Sequence, residues 1–193
     1  MLALARELAN CDEIFFAGWV IARVDVDIQG KGKTFTNELL MHKKSKAVFQ
    51  VFGIDENDVL RAALKVLLLL PKSSLALSKK SSAKDKKDNF ATKFKLLVSH
   101  VFNIKEVQSY LDYTKDKNII HKQDLAKEYT VVPGLCMMSF LKQYLKLNTL
   151  HWQVDFLSPV YVDDEISFYR DDEDKMIYAY ANEALAFRIK IIK

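Results

Sequence analysis

Three residues in one short stretch, Asp116, Asn118 and His121, have the types and spacing of a proton-transfer site. An aspartate and a histidine five positions apart, with an asparagine between them, can be turned into a single cavity by a bend or loose coil. The imidazole titrates near neutrality and the carboxylate can share its proton traffic. Shortly afterwards Pro133 and Gly134 open an apolar run. Pro133 suits the first position of a helix, and the free N–H groups of Gly134 and Leu135 can hydrogen-bond an oxygen that gains negative charge. An acid/base pair and an oxyanion donor thus fall within residues 116–135.

These groups need elements to hold them. Leu135, Met137, Met138, Phe140, Leu141, Tyr144 and Leu145 leave Lys142 as the first polar side chain expected to face water, so this helix is apolar on most sides and belongs in a core. Upstream, Lys93–Phe102 reads as a strand, and Asn103 as the N-cap of a helix in which Ile104, Val107, Tyr110 and Leu111 share a face. Downstream, 151–160, 165–169 and 176–192 alternate with period two, as in Phe187/Ile189/Ile191.

The amino-terminal part has the same order of elements. A helical pattern over residues 1–9 precedes strand candidates at 14–28, 34–41, 47–53 and 59–70, with a turn at 29–32. Residues 61–70, Arg-Ala-Ala-Leu-Lys-Val-Leu-Leu-Leu-Leu, suit a helix equally well by propensity, and only the parallel with the carboxy-terminal part favours a strand. Trp19 and Trp152 fall at similar places in the two parts. An internal repeat is expected, in which the first copy lacks the segment that carries the acid/base pair.

Composition narrows the possibilities. The chain has 193 residues, half of them hydrophobic, enough for one sizeable domain or two small packed units. Its formal charge of +4 is matched by the stretch 71–89 alone, where six lysines face two aspartates. Basic residues confined to a Ser/Lys tract without aromatics describe a solvated linker, not a nucleic-acid surface. Cys11 and Cys136 have no metal-ligand spacing and form no disulfide framework. The run Val66–Leu70 is too short for a membrane span, and Arg6 and Glu7 interrupt any signal-peptide core. A soluble cytoplasmic protein is expected.

Three motifs in register give residues 93–193 a resemblance to a known family. Asp-Lys-Asn-Ile-Ile-His at 116–121 is similar to the Asp-x-Asn-Pro-x-His of the MaoC-like, (R)-specific enoyl-CoA hydratases. Val-Val-Pro-Gly-Leu at 131–135 resembles the start of their central helix, and Phe-Leu-Ser-Pro-Val at 156–160 their Phe-x-x-Pro-Val strand. The resemblance implies an α+β hotdog fold, an antiparallel sheet wrapped around a central helix, as a double hotdog or a hotdog dimer. Residues 1–70 would be a partial or degenerate repeat, 71–91 a flexible linker and 92–193 the MaoC-like domain.

The resemblance also implies roles. Asp116 and His121 would share a water, Asn118 would orient the loop, and Gly134 or Leu135 would meet the thioester oxygen, with Pro133 and Met138 beside the substrate. That substrate would be a trans-2-enoyl thioester of coenzyme A or acyl carrier protein, hydrated reversibly without metal or other cofactor, by a protein that forms homodimers. Four positions depart from the family: Ile119 replaces a proline, Lys115 a glycine, Pro133 a histidine, and Asp163-Asp164 a Gly-Asp pair. The alternative is a hotdog protein that binds an acyl thioester or a protein partner without turnover. Read alone, His121 is a surface or capping residue, and Met137, Met138, Phe140 and Tyr144 form core on a helix that in this fold also lines an acyl tunnel. His42, His100 and His151 have no spaced partner and are read as structural.

Overall fold

The computed structural model describes residues 1–11, 18–71, 94–121 and 130–192. Of the expected linker 71–91, residues 72–91 lie outside the described residues, as do residues 14–17 of the first strand candidate. Helix α1 (Leu2–Leu8) is followed by strands β1 (Val20–Ile28), β2 (Thr34–Lys43), β3 (Lys46–Ile54) and β4 (Leu60–Leu69). Then come β5 (Lys95–Val101), helix α2 (Ile104–Thr114), a 3-10 turn at Ile119–His121 and helix α3 (Gly134–Tyr144). Strands β6 (Leu150–Phe156), β7 (Glu165–Asp171), β8 (Met176–Ala181) and β9 (Ala184–Ile191) complete the chain.

Period-two alternation builds the sheet. In β1 the side chains of Val24, Val26 and Ile28 are buried and the intervening Asp25 and Asp27 point to the other face. In β4 the buried set is Ala62, Leu64, Val66 and Leu68, so the apolar run at 61–70 is a strand, although its composition suits a helix equally. Pairing with β1 and β3 on its two sides supplies the ladder that propensity alone does not specify.

All pairs are antiparallel and make one nine-stranded sheet in the order β2-β3-β4-β1-β6-β9-β8-β7-β5. The same neighbours recur on both sides, β1-β4-β3-β2 in the first half and β6-β9-β8-β7 in the second, where β5 adds to β7. The two halves join through β1 and β6, where Val24 opposes Val154 and Val26 opposes Trp152, all four at most 1% exposed. Helix α3 buries Leu135, Cys136, Met137, Met138, Ser139 and Leu141, as an apolar helix must. The shorter α1 buries Leu4, Ala5 and Leu8. Among the described residues, no helix is long and apolar enough to cross a membrane.

Some boundaries differ from the sequence expectation. The first strand begins at Val20, after Trp19 and a Gly18 with φ +91°, not at Ile14. The strand expected over 151–160 ends at Phe156, because the N–H groups of both Leu157 and Ser158 turn to the single carbonyl of Ala186 and Pro159 has no N–H to continue the ladder. Pro133 sits one place earlier than expected, as the N-cap of α3, with Gly134 the first helical residue.

Helix α2 starts with a capping box, Asn103 accepting from the Lys105 and Glu106 N–H groups while Glu106 accepts from the Asn103 N–H. It ends at Lys115, whose φ of +61° is left-handed and whose N–H donates to the Leu111 carbonyl at 2.8 Å. A lysine there carries the Cβ penalty that a glycine avoids. Lys115→Gly is expected to stabilise the chain by about 1 kcal/mol, seen as a higher midpoint in urea denaturation with an unchanged slope.

A candidate active site at the seam between the two halves

The left-handed turn at Lys115 reverses the chain so that Asp116 follows α2 directly into a cavity. Asp116 Oδ1 accepts from the Asn118 N–H at 2.9 Å, an Asx turn that holds the carboxylate by its own backbone. The His121 N–H donates to the Asn118 carbonyl at 3.1 Å and closes the 3-10 turn. Asn118 is buried, and its Nδ2 donates to the carbonyl of Trp19 at 2.7 Å. The loop is thereby tied to the other half of the molecule, ninety-nine residues away.

His121 is fixed by Val131. Its Nδ1 lies 2.8 Å from the Val131 carbonyl, and the Val131 N–H donates to the Ile120 carbonyl at 3.2 Å. A carbonyl only accepts, so Nδ1 carries the proton, and in the neutral ring Nε2 offers its lone pair. Burial pushes the His121 pKa below the usual 6.5, against the opposing pull of Asp116 and of the Val131 bond, so the ring is neutral at pH 7. Nε2 faces Asp116 Oδ2 at 3.9 Å, with the two side chains 10% and 23% exposed. That separation is too long for a direct hydrogen bond. It leaves space for one water about 2.8 Å from each acceptor.

The cavity has a volume of about 360 Å³. Asp116, Asn118, His121, Pro133, Gly134 and Leu135 all line it, so six of the seven expected site residues are brought together. Met138 is not among them. It is fully buried in the core, and Met137, one residue earlier on α3 and about 100° around the helix, lines the cavity instead. Gly134 and Leu135 belong to the first turn of α3, where N–H groups have no carbonyl four residues back. A Cβ on Gly134 would lie 2.6 Å from Cε1 of Phe156, whose ring roofs the helix start. Cys136 on the same turn is no nucleophile, since burial pushes its thiol up to about 12.

Sequence reasoning left much of the wall unassigned. The first half contributes Ala5, Leu8, Trp19, Val20, Ile21 and Leu68–Leu70. Phe156, Ser158 and Tyr110 come from the second half. The signal for Trp19 was its place at a strand start, parallel to Trp152. The signal for Tyr110 was a phenol on the buried face of the helix that leads into Asp116. At the opposite end of the β1–β6 ladder, a second cavity of about 450 Å³ is lined by Leu4, Ile28, Gln29, Lys142 and Asn148 among others, with no histidine or carboxylate in its described wall.

The Asn118 bond generates a test. Asn118→Ala leaves the buried Trp19 carbonyl without this donor, and a loss of about 1–3 kcal/mol is expected in urea denaturation, with Asn118→Asp at least as costly because a carboxylate cannot donate.

No protein-family model matches the sequence, and no curated protein sequence does. Solved structures do share its fold. HtdX from Mycobacterium tuberculosis superposes with a TM-score of 0.71 at 11% identity, over 98% of this chain and 86% of its own. A MaoC-like dehydratase gives 0.68 at 10% identity, over 100% and 82%. A conserved hypothetical protein from M. tuberculosis, described as having a double hotdog fold, gives 0.60 at 12% identity, over 98% and 80%. Together with the single antiparallel sheet carrying α3 in its core, these likenesses make the chain a hotdog-fold protein that resembles the MaoC-like dehydratases.

Proposed function

We propose that the chain binds an acyl thioester, of coenzyme A or of acyl carrier protein, in the cavity at the seam and hydrates trans-2-enoyl thioesters reversibly. One observation carries the reading. The Val131 carbonyl holds the His121 proton on Nδ1, so Nε2 and Asp116 Oδ2 present two acceptors 3.9 Å apart inside a largely apolar cavity. A water between two acceptors donates both hydrogens and turns a lone pair outward, toward the β-carbon of a bound enoyl group.

Attack forms the oxygen–carbon bond at the β-carbon. The π pair moves to the α-carbon and the thioester oxygen, and one water proton passes to His121 or Asp116. Returning that proton to the α-carbon completes the hydration and restores both side chains. Charge on the thioester oxygen is met by the N–H of Gly134 or Leu135, a contribution of about 2.7–4 kcal/mol where such donors have been removed elsewhere. No metal or further cofactor enters this scheme.

A second reading, acyl binding without turnover, is favoured by Ile119. It stands where the family has a proline and is 48% exposed, so the turn between Asp116 and His121 lacks the rigidity a fixed φ gives. Loss of the enoyl-CoA absorbance across several acyl lengths decides between them. The catalytic reading expects turnover by the wild type and a fall of about 10²–10⁴-fold in His121→Ala and Asp116→Ala, with folding intact. Tight acyl-CoA binding by wild type and His121→Ala alike, without turnover of any length, leaves the binding reading.

The direction of the His121 shift sets a pH dependence. Burial favours the neutral ring, so the acid limb of kcat/KM is expected below pH 6.5. The unfolded state takes up the proton first as pH falls. His121 therefore lowers stability progressively from about 6.5 down to its own folded pKa, and His121→Gln should flatten that part of the stability curve.

A further inference from the structure

The cavity contains a polar group that the scheme above leaves idle. Tyr110, on the buried face of α2, lines the same cavity as Asp116 and His121 and is only 8% exposed. The hydrogen bond recorded at this residue is made by its backbone carbonyl, which accepts from Thr114 Oγ1. Among the described residues the phenol oxygen finds no hydrogen-bond partner, and it is not sealed from solvent. A buried hydroxyl left unpaired costs stability unless something entering the cavity satisfies it.

Its surroundings say where it acts. Burial raises its pKa well above the usual value, and the nearby Asp116 adds to the shift. It stays a protonated donor at any working pH. It shares the cavity wall with the acid/base pair and with Gly134 and Leu135 at the start of α3, the two features that bracket the reacting atoms.

We infer that the Tyr110 hydroxyl is the third protein contact to the reacting oxygen, donating a hydrogen bond to the water of hydration and to the β-hydroxyl of the product. This inference rests on the acyl-thioester reading and adds a specificity to it. Water held by Nε2 and Oδ2 donates both its hydrogens, which leaves two lone pairs: one attacks carbon and the other accepts from Tyr110. In the product the β-oxygen still accepts from the phenol while its own hydrogen goes to Asp116 or His121. The ligand class the site selects is thus a 3-hydroxyacyl thioester over the saturated thioester of equal length.

Tyr110→Phe removes one oxygen and keeps the ring. Dissociation constants for 3-hydroxyhexanoyl-CoA and hexanoyl-CoA, measured with wild type and variant, are the test. The expected result is about tenfold weaker binding of the hydroxyacyl thioester with hexanoyl-CoA changed by less than about twofold, as befits one hydrogen bond at a desolvated site. The kinetic counterpart is a lower kcat with an unaltered KM for hexenoyl-CoA, which has no β-oxygen for the phenol to hold. Equal weakening of both thioesters makes Tyr110 a packing residue and overturns the assignment, as does no change in either. A wild-type chain that binds neither thioester overturns the acyl reading itself. If the phenylalanine variant fails to fold, Tyr110→Met, which also fills the space without a donor, takes its place with the same outcomes.

Discussion

The antiparallel ladder between β1 and β6 is the contact on which the other features depend. Among the described residues it is the one ladder that joins the two halves of the sheet, and it buries Val24, Val26, Trp152 and Val154 on one face. The register fixes the inward residues of β1 together, because a slip of that strand by one residue would turn Val24 and Val26 to solvent and bring Asp25 and Asp27 into the core. The outward face is held by charge instead: Asp155 sits between Arg23 at 2.6 Å and Arg188 at 3.1 Å, which keep its carboxyl below the usual range against the opposing effect of partial burial. With the sheet continuous, the carboxy end of α1 and the amino end of α3 meet at one end of the ladder, and the cavity is the space they leave.

Within that space the polar groups are arranged by backbone atoms more than by one another. Asp116 is held by the Asn118 N–H, His121 by the Val131 carbonyl, and Asn118 by the Trp19 carbonyl. Backbone partners have fixed position and fixed polarity, so each side chain has its direction set, and His121 its tautomer, before any ligand arrives. Nε2 and Oδ2, 3.9 Å apart, are both acceptors and cannot satisfy each other. Their hydrogen-bonding capacity is turned to the cavity.

Much of this was legible in the sequence where local chemistry dictates structure. The alternation in 20–28 and 60–69, the Asn103 cap and the Asp116–His121 spacing each express a rule that acts over a few residues. Register between distant segments is not such a rule. Nothing near Trp19 announces that its carbonyl receives Asn118, and nothing near Leu68 announces that it faces the site; both follow from where β1 and β4 lie in the sheet. Met138 was misplaced for a related reason. On a helix buried nearly all round, apolar identity does not say which side faces the core and which the cavity, and a single step along the helix exchanges the two. Lys115 shows the converse: a left-handed helix end is kept by the Leu111 carbonyl even though the residue there is not a glycine.

The two ends of the β1–β6 ladder now have unlike contents. One holds Asp116 and His121, the other Gln29, Lys142 and Asn148. In an assembly of two identical chains, every substitution is repeated at both symmetry-related cavities, so neither can change without the other. A single chain that carries both halves has no such bond between its cavities. Drift at Gln29 or Asn148 leaves the proton-transfer end untouched, and mutation can explore one cavity while selection keeps the other.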